Sequence, residues 1–142
     1  MKTNWLFVFF TAAVVIMGCL SGEPKTTDIA TDMCGCFNML KDSLPAEGVQ
    51  VFEKAAASAN AQETFTKEMQ QLKPEVALKV NAALMSTAKP GSAINDCIKA
   101  LDKKYKTNET DQQAMAQKMI DALKDKKGCE IMMALMLMNK KK

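Results

Sequence analysis

Two cysteines separated by a single glycine, Cys34 and Cys36, constrain this chain more than any other sequence feature. A disulfide needs Cα atoms about 4.4–6.8 Å apart, so a bond between cysteines one residue apart would close a strained ring. Each cysteine therefore needs a distant partner, and the candidates downstream are Cys97 and Cys129. Two pairings stay open: Cys34–Cys97 with Cys36–Cys129, or Cys34–Cys129 with Cys36–Cys97. Either one closes loops of about 60–95 residues, for which the chain-entropy model gives about 4 kcal/mol per bridge.

Residues 1–18 have the features of a secretory signal peptide. Lys2 supplies a positive charge, and the segment from Trp5 to Met17 supplies an apolar core. A transmembrane helix needs about 20 apolar residues, whereas signal cores have about 7–15. We therefore expect this segment to be removed rather than to span a membrane.

The end of this segment, Ile16-Met17-Gly18-Cys19, resembles the lipobox of bacterial lipoproteins. In that motif an aliphatic residue lies three positions before the cysteine and a small residue lies directly before it; Met17 departs from the more common Ala, Ser or Thr. The resemblance implies that Cys19 becomes the first residue of the mature chain and carries a diacylglycerol thioether and an N-acyl chain, sufficient for stable anchoring. Lipidation of Cys19 would also explain the odd total of five cysteines. The alternative is an ordinary cysteine of the signal segment.

The rest of the chain predicts a short tether over residues 19–27 and one helical domain over residues 28–142. Ser21, Gly22 and Pro24 favour flexibility in the tether. Beyond it, apolar residues recur three and four positions apart, and no alternating strand pattern appears. The predicted helices cover about 28–43, 46–72 as one long helix or two, 74–88, 92–105, 111–127 and 131–138. We expect an all-α, disulfide-stapled bundle of about five to six helices.

Several local signals refine this prediction. Ser92 is expected to cap a helix whose apolar stripe turns Cys97 inward. Gly128 is expected to end the penultimate helix. The run from Ile131 to Met138 has no polar side, so we expect it to be buried all round.

The composition disfavours several classes of function. The chain has no histidine, which removes the commonest general base and metal ligand. It also has no arginine, so bidentate recognition of phosphates or guanines is unavailable. Aromatic residues are few after the signal, which disfavours stacking on single-stranded nucleic acid; they are Phe37, Phe52, Phe65 and Tyr105. No serine lies in a glycine-flanked nucleophile setting; the serines considered are Ser43, Ser58, Ser86 and Ser92. We expect no catalytic residues, no enzymatic activity, no cofactor and no nucleic-acid partner.

The sulfur-containing side chains support an alternative to this non-enzymatic interpretation. Cys34-Gly35-Cys36 resembles a minimal disulfide-exchange motif, but no thioredoxin-like strands surround it. Zinc is disfavoured because Cys97 and Cys129 each lack a close second cysteine. Soft thioether ligands select copper(I), and closely spaced candidates are Met132, Met133, Met136 and Met138. Core packing is the simpler interpretation of these methionines.

Three lysine clusters lie at the C-terminal ends of predicted helices, where cations interact favourably with the helix dipole. They are Lys103, Lys104 and Lys106, then Lys124, Lys126 and Lys127, then Lys140 to Lys142. Contact with anionic lipid headgroups is a secondary interpretation for an anchored protein.

The whole pattern is similar to small helical lipoproteins of Gram-negative bacteria. The shared features are a Cys-x-Cys in the first helix, a cysteine in a lysine-rich helix before a Lys-Tyr pair, here Lys104-Tyr105, and a last cysteine after the penultimate helix. That resemblance implies no activity. We expect a non-enzymatic lipoprotein, anchored in the cell envelope and facing the periplasm or the cell surface, that has a structural role or binds an envelope protein. The alternative is an extracytoplasmic thiol-disulfide or copper(I)-handling protein that uses Cys34, Cys36 and the C-terminal methionines.

Overall fold

A computed structural model describes residues 25–105 and 112–139. The predicted signal peptide, Cys19 and most of the tether lie outside these residues, as do Lys106 and Lys140 to Lys142. None of the described helices combines the length and the apolarity that crossing a bilayer requires.

The described residues form helices and contain no strand, which confirms the all-α prediction. Over these ranges the helices number seven, whereas five to six were expected. They are α1 (Thr26–Lys41), α2 (Ala46–Ala56), α3 (Ala61–Gln71), α4 (Pro74–Thr87), α5 (Ala93–Tyr105), α6 (Gln112–Leu123) and α7 (Glu130–Asn139).

The additional helix arises because the segment over 46–72 is divided at Asn60. The Asn60 side chain accepts a hydrogen bond from the Glu63 backbone N–H and donates one to the Glu63 carboxylate at 2.8 Å. Its own backbone N–H donates to Ser58 Oγ at 3.1 Å. These bonds satisfy the first turn of α3 and override the helix propensity of the preceding alanines. The chain therefore reverses, and Phe52 of α2 packs on Phe65 of α3 with ring centroids 5.2 Å apart.

Two other helix ends differ from the prediction. The first helix begins at Thr26 rather than Asp28. The penultimate helix already ends at Leu123, so the prediction that Gly128 ends it was wrong. Gly128 instead forms the turn before α7, with φ of 88° and its N–H bonded to the Glu130 carboxylate at 2.9 Å. The Ser92 cap is confirmed, since its Oγ accepts the Asn95 N–H at 3.2 Å.

The core consists of two apolar clusters that meet along α7. The first joins the N-terminal half of α1 to α6 and α7, and its buried members are Ile29, Ala30, Cys34, Met119, Ile120, Leu123, Cys129, Met132 and Met133. The second joins the other end of α1 to α2, α4, α5 and α7, and its buried members are Leu40, Leu44, Phe52, Ala55, Val80, Ala83, Ile94, Ile131 and Ala134.

The last helix is not buried all round, so that prediction was wrong. Its first turn, Ile131 to Ala134, is buried, but the residues from Leu135 to Met138 are only half-buried. The reason is a groove beside α3 that leaves Leu137 and Met138 open on one side.

Candidate interaction surface

The four cysteines of the domain form two disulfides, of the second pairing left open by the sequence. Cys34 bonds Cys129 with an S–S distance of 2.02 Å and Cα atoms 5.3 Å apart. Cys36 bonds Cys97 with an S–S distance of 1.96 Å and Cα atoms 5.7 Å apart. Residues two apart on a helix point about 200° from each other, so α1 reaches α5 on one side and the start of α7 on the other.

The disulfides are poorly placed for exchange chemistry. Cys34, Cys36 and Cys129 are buried, and only Cys97 is half-buried. Exchange requires a thiolate to reach one sulfur of the bond. The geometry favours structural bridges over a reactive dithiol.

The four C-terminal methionines do not converge on one point. Met132 and Met133 are buried in the first core cluster, and Met136 packs against it, whereas Met138 packs against the second cluster. Within the part of the chain that the structure describes, no three His, Cys, Asp or Glu side chains gather as metal ligands either. The packing favours a core role for these methionines over a copper(I) site.

Two lysines of the predicted clusters, Lys104 and Lys126, contact the N-terminal half of α1. Lys104 Nζ is 2.7 Å from Asp32 Oδ2, and the Tyr105 hydroxyl donates to the same oxygen at 2.5 Å. Lys126 Nζ donates to Thr31 Oγ1. These contacts bring the end of α5 and the α6–α7 turn to the half of α1 that is nearer to the tether.

The contact at Asp32 perturbs three ionisations. The hydrogen bond from Lys104, helped by that from Tyr105, lowers the pKa of the Asp32 carboxyl. The same bond raises the pKa of Lys104, and the bond to Asp32 raises the pKa of Tyr105. These hydrogen bonds favour the ionised carboxylate of Asp32 and the protonated forms of the Lys104 amine and the Tyr105 phenol. The contact therefore links α1 to α5 and is not a group poised to act as an acid or a base.

Two of the open grooves along the described helices reach α7. The larger, about 740 Å³, follows α3 from Ser58 to Gln70 and reaches Leu137 and Met138 of α7. The other, about 480 Å³, lies between the end of α2 and the α6–α7 turn. Ligand sites are usually concave and enclosed, and these grooves are open to solvent, so neither resembles a small-molecule site.

The most unusual surface feature is the outer side of α4. Val80 and Ala83 face the core and are 0% and 8% exposed, whereas Leu78 and Met85 are 69% and 72% exposed. At about 100° per residue, Leu78 and Met85 lie about 20° apart and Ala82 about 40° from Leu78, while Val80 lies about 160° away. We name Leu78, Ala82 and Met85 the α4 outer face. The helix is thus apolar on two opposite sides, and the described residues of the domain cover only one of them.

The sequence analysis predicted a helix over 74–88 but did not identify its outer face. The signal was present as a second apolar series at i, i+4 and i+7. Single exposed apolar side chains need no explanation, whereas neighbouring ones on one side of a helix make that side a candidate interaction surface.

No protein-family model matches this chain, and neither a curated protein nor a solved structure is significantly similar to it.

Proposed function

We propose that this chain is a non-enzymatic lipoprotein of the cell envelope that binds a partner protein through the α4 outer face. The observation that carries the proposal is the exposure of Leu78 and Met85, 69% and 72%, on the side of α4 opposite its core contacts. Exposed apolar side chains at i, i+4 and i+7 are the anchors by which one helix packs on another protein. In this proposal Cys19 supplies the lipid anchor, and the domain faces the periplasm or the cell surface.

The position of α4 relative to the tether supports a protein partner rather than lipid. Val80 and Ala83 pack in the same cluster as Leu40 and Leu44, at the end of α1 opposite the tether. A helix of 16 residues spans about 24 Å. In this proposal α4 therefore packs at the end of α1 that is farther from the anchor, while Lys104 and the α6–α7 turn contact the nearer half of α1.

The charges support the same orientation. Lys104 is paired with Asp32, but Lys124, Lys126 and Lys127 of the α6–α7 turn are suited to contact with anionic headgroups, an attraction that decays within a Debye length of the surface. The two disulfides suit an oxidising compartment, where such bonds persist. A small domain that is covalently fixed in this way can keep an apolar face exposed without depending on that face for folding.

The proposal is tested by cross-linking the anchored protein in its native membranes. We expect a cross-linked species for the wild-type chain and at least a tenfold loss for Leu78→Ser combined with Met85→Ser. Met39→Ser is the matched control, because Met39 is also exposed, at 43%, but lies on α1. These exposed substitutions should change the free energy of unfolding by about 0.5 kcal/mol or less, so lost binding would not reflect unfolding. Equal cross-linking of the double variant and the wild type would contradict the proposal.

A further inference from the structure

The α4 outer face is bordered by two exposed, oppositely charged residues that have no ion-pair partner within the domain as described. Glu75 lies in the first turn of α4, and Lys89 follows its last turn. Ion pairs are present elsewhere in the described part of the chain, for example Lys54–Glu68 and Lys104–Asp32. Ala88 keeps helical dihedrals, φ −81° and ψ −11°, and the Lys89 N–H bonds Ser86 O, so Lys89 continues close to the helical course. Glu75 and Lys89 then lie about 60° and 20° from Leu78 around the helix.

These residues are arranged symmetrically about Ala82. Glu75 and Lys89 are equally distant from it along the chain, and Leu78 and Met85 share nearly the same midpoint. When two copies of α4 are laid antiparallel with Ala82 at the centre, Leu78 meets Met85 of the second copy and Glu75 meets its Lys89. An isologous interface requires this self-complementarity. The small Ala82 at the centre permits the helix axes to approach to about 8 Å.

We propose that the partner bound by the α4 outer face is a second copy of this chain, paired antiparallel through α4. This inference rests on the proposed function, because it names the occupant of that same surface. The pair joins one apolar row to its own counterpart and places two Glu75–Lys89 ion pairs at its ends. An unrelated partner would require neither the matched midpoints nor the opposite charges.

The size of the interface predicts where the pair forms. α4 has 14 residues, about 21 Å of helix, so one helix pair buries less than the roughly 1,200 Å² of a stable interface. The contact is therefore weak between molecules free in solution. Anchoring both copies to one membrane raises their effective concentration without any new contact, so the pair is populated on the membrane.

The test places a photo-crosslinking residue at Asn81, an exposed position beside the face, in the full-length, membrane-anchored protein. We expect a product of twice the protomer mass. Glu75→Lys alone or Lys89→Glu alone places like charges opposite each other at both ends of the α4 pair. Each single variant should lower the yield of the cross-linked dimer about fivefold or more. The double variant restores both ion pairs and should return to within about twofold of the wild type. Since it contains both single changes, its recovery excludes misfolding as the cause of their losses.

Lys79→Glu is the matched control, because Lys79 is exposed on the same helix but lies about 100° from Leu78, and its yield should stay unchanged. A product of Asn81 with a different protein would overturn self-pairing and still support the proposed function. No product at Asn81 would overturn both. Self-crosslinking that the double charge exchange fails to restore would overturn the antiparallel arrangement.

Discussion

The two regions of the domain are held together differently. The stapled region, which consists of α1, α5, α6 and α7, contains both disulfides. The α2–α4 region lies inside the 61-residue separation closed by Cys36–Cys97 and contains no cysteine. It depends on packing around Phe52 and Val80, both 0% exposed. The exposed apolar row belongs to this second region. Covalent bonds therefore fix the framework, while noncovalent contacts inside the loop closed by Cys36–Cys97 position the proposed interaction surface.

Removal of the Cys36–Cys97 bridge should have the largest effect on this contrast. Cys36→Ala with Cys97→Ala frees the ends of the segment that carries α2, α3 and α4, and we expect the free energy of unfolding to fall by about 4 kcal/mol. Denaturant titration measures the loss, and hydrogen exchange should show the fastest opening in α2–α4. The Cys34→Ala, Cys129→Ala pair is the comparison, and its opening should begin in α7. Identical exchange patterns for the two variants would break the contrast.

Phe52→Ala should destabilise the α2–α4 region by about 3 kcal/mol, because a fully buried ring that packs on Phe65 is replaced by a cavity. Hydrogen exchange at limiting denaturant should show loss of protection in α2 and α3 before α1. Phe37→Ala is the control: Phe37 is half-buried against the first cluster, so its loss should be smaller and centred on α1. Uniform loss of protection in the Phe52 variant would mean that the regions open as one unit.

A single added methyl group should change the free energy of unfolding in opposite directions in the two regions. A Cβ at Gly48 would lie 2.6 Å from Val80 Cγ2, so Gly48→Ala should overpack the α2–α4 contact and cost about 1–3 kcal/mol. A Cβ at Gly35 on α1 meets no atom within 4 Å, so Gly35→Ala should stabilise by about 0.5–1 kcal/mol. Thermal unfolding of both variants checks the signs. Adding Val80→Ala to Gly48→Ala should relieve the clash, and a failure to do so would place the strain elsewhere.

The smallest expected effect is a pH-dependent change in stability that arises from the Asp32 contact in the stapled region. The pKa of Asp32 is lowered from 3.8 in the folded domain. Its contribution to the free energy of unfolding is therefore present above pH 3.8 and is lost as the pH falls through the lower, folded pKa. The pKa of Tyr105 is raised from 10.0 in the folded domain. Its contribution to the free energy of unfolding is therefore present below pH 10.0 and is lost as the pH rises through the higher, folded pKa. Asp32→Asn should therefore lower stability slightly near neutral pH and make no difference in strong acid. A difference that persists in strong acid would exclude the ionised carboxylate as the cause.

The sequence predicted those features that depend on local chemistry. The helical period, the Ser92 cap and the divergence of Cys34 from Cys36 follow from the residues themselves. The disulfide pairing could not be predicted in this way. Both pairings are compatible with Cys34 and Cys36 pointing in different directions, and only the positions of α5 and α7 decide between them. The α4 outer face was equally hidden: Leu78 and Val80 look alike in sequence, and the neighbouring helices determine which of them is covered.

We propose a domain that is anchored through Cys19 and binds through α4, and its two disulfides fix the framework. The most direct measurement is the intact mass of the protein extracted from its native membrane, alkylated with and without prior reduction. We predict the mass of a chain that begins at Cys19 with its acyl groups, no alkylation before reduction, and four alkyl groups afterwards, on Cys34, Cys36, Cys97 and Cys129. A chain without acyl groups would contradict the anchor, and alkylation of Cys34 or Cys36 without reductant would contradict the stapled framework.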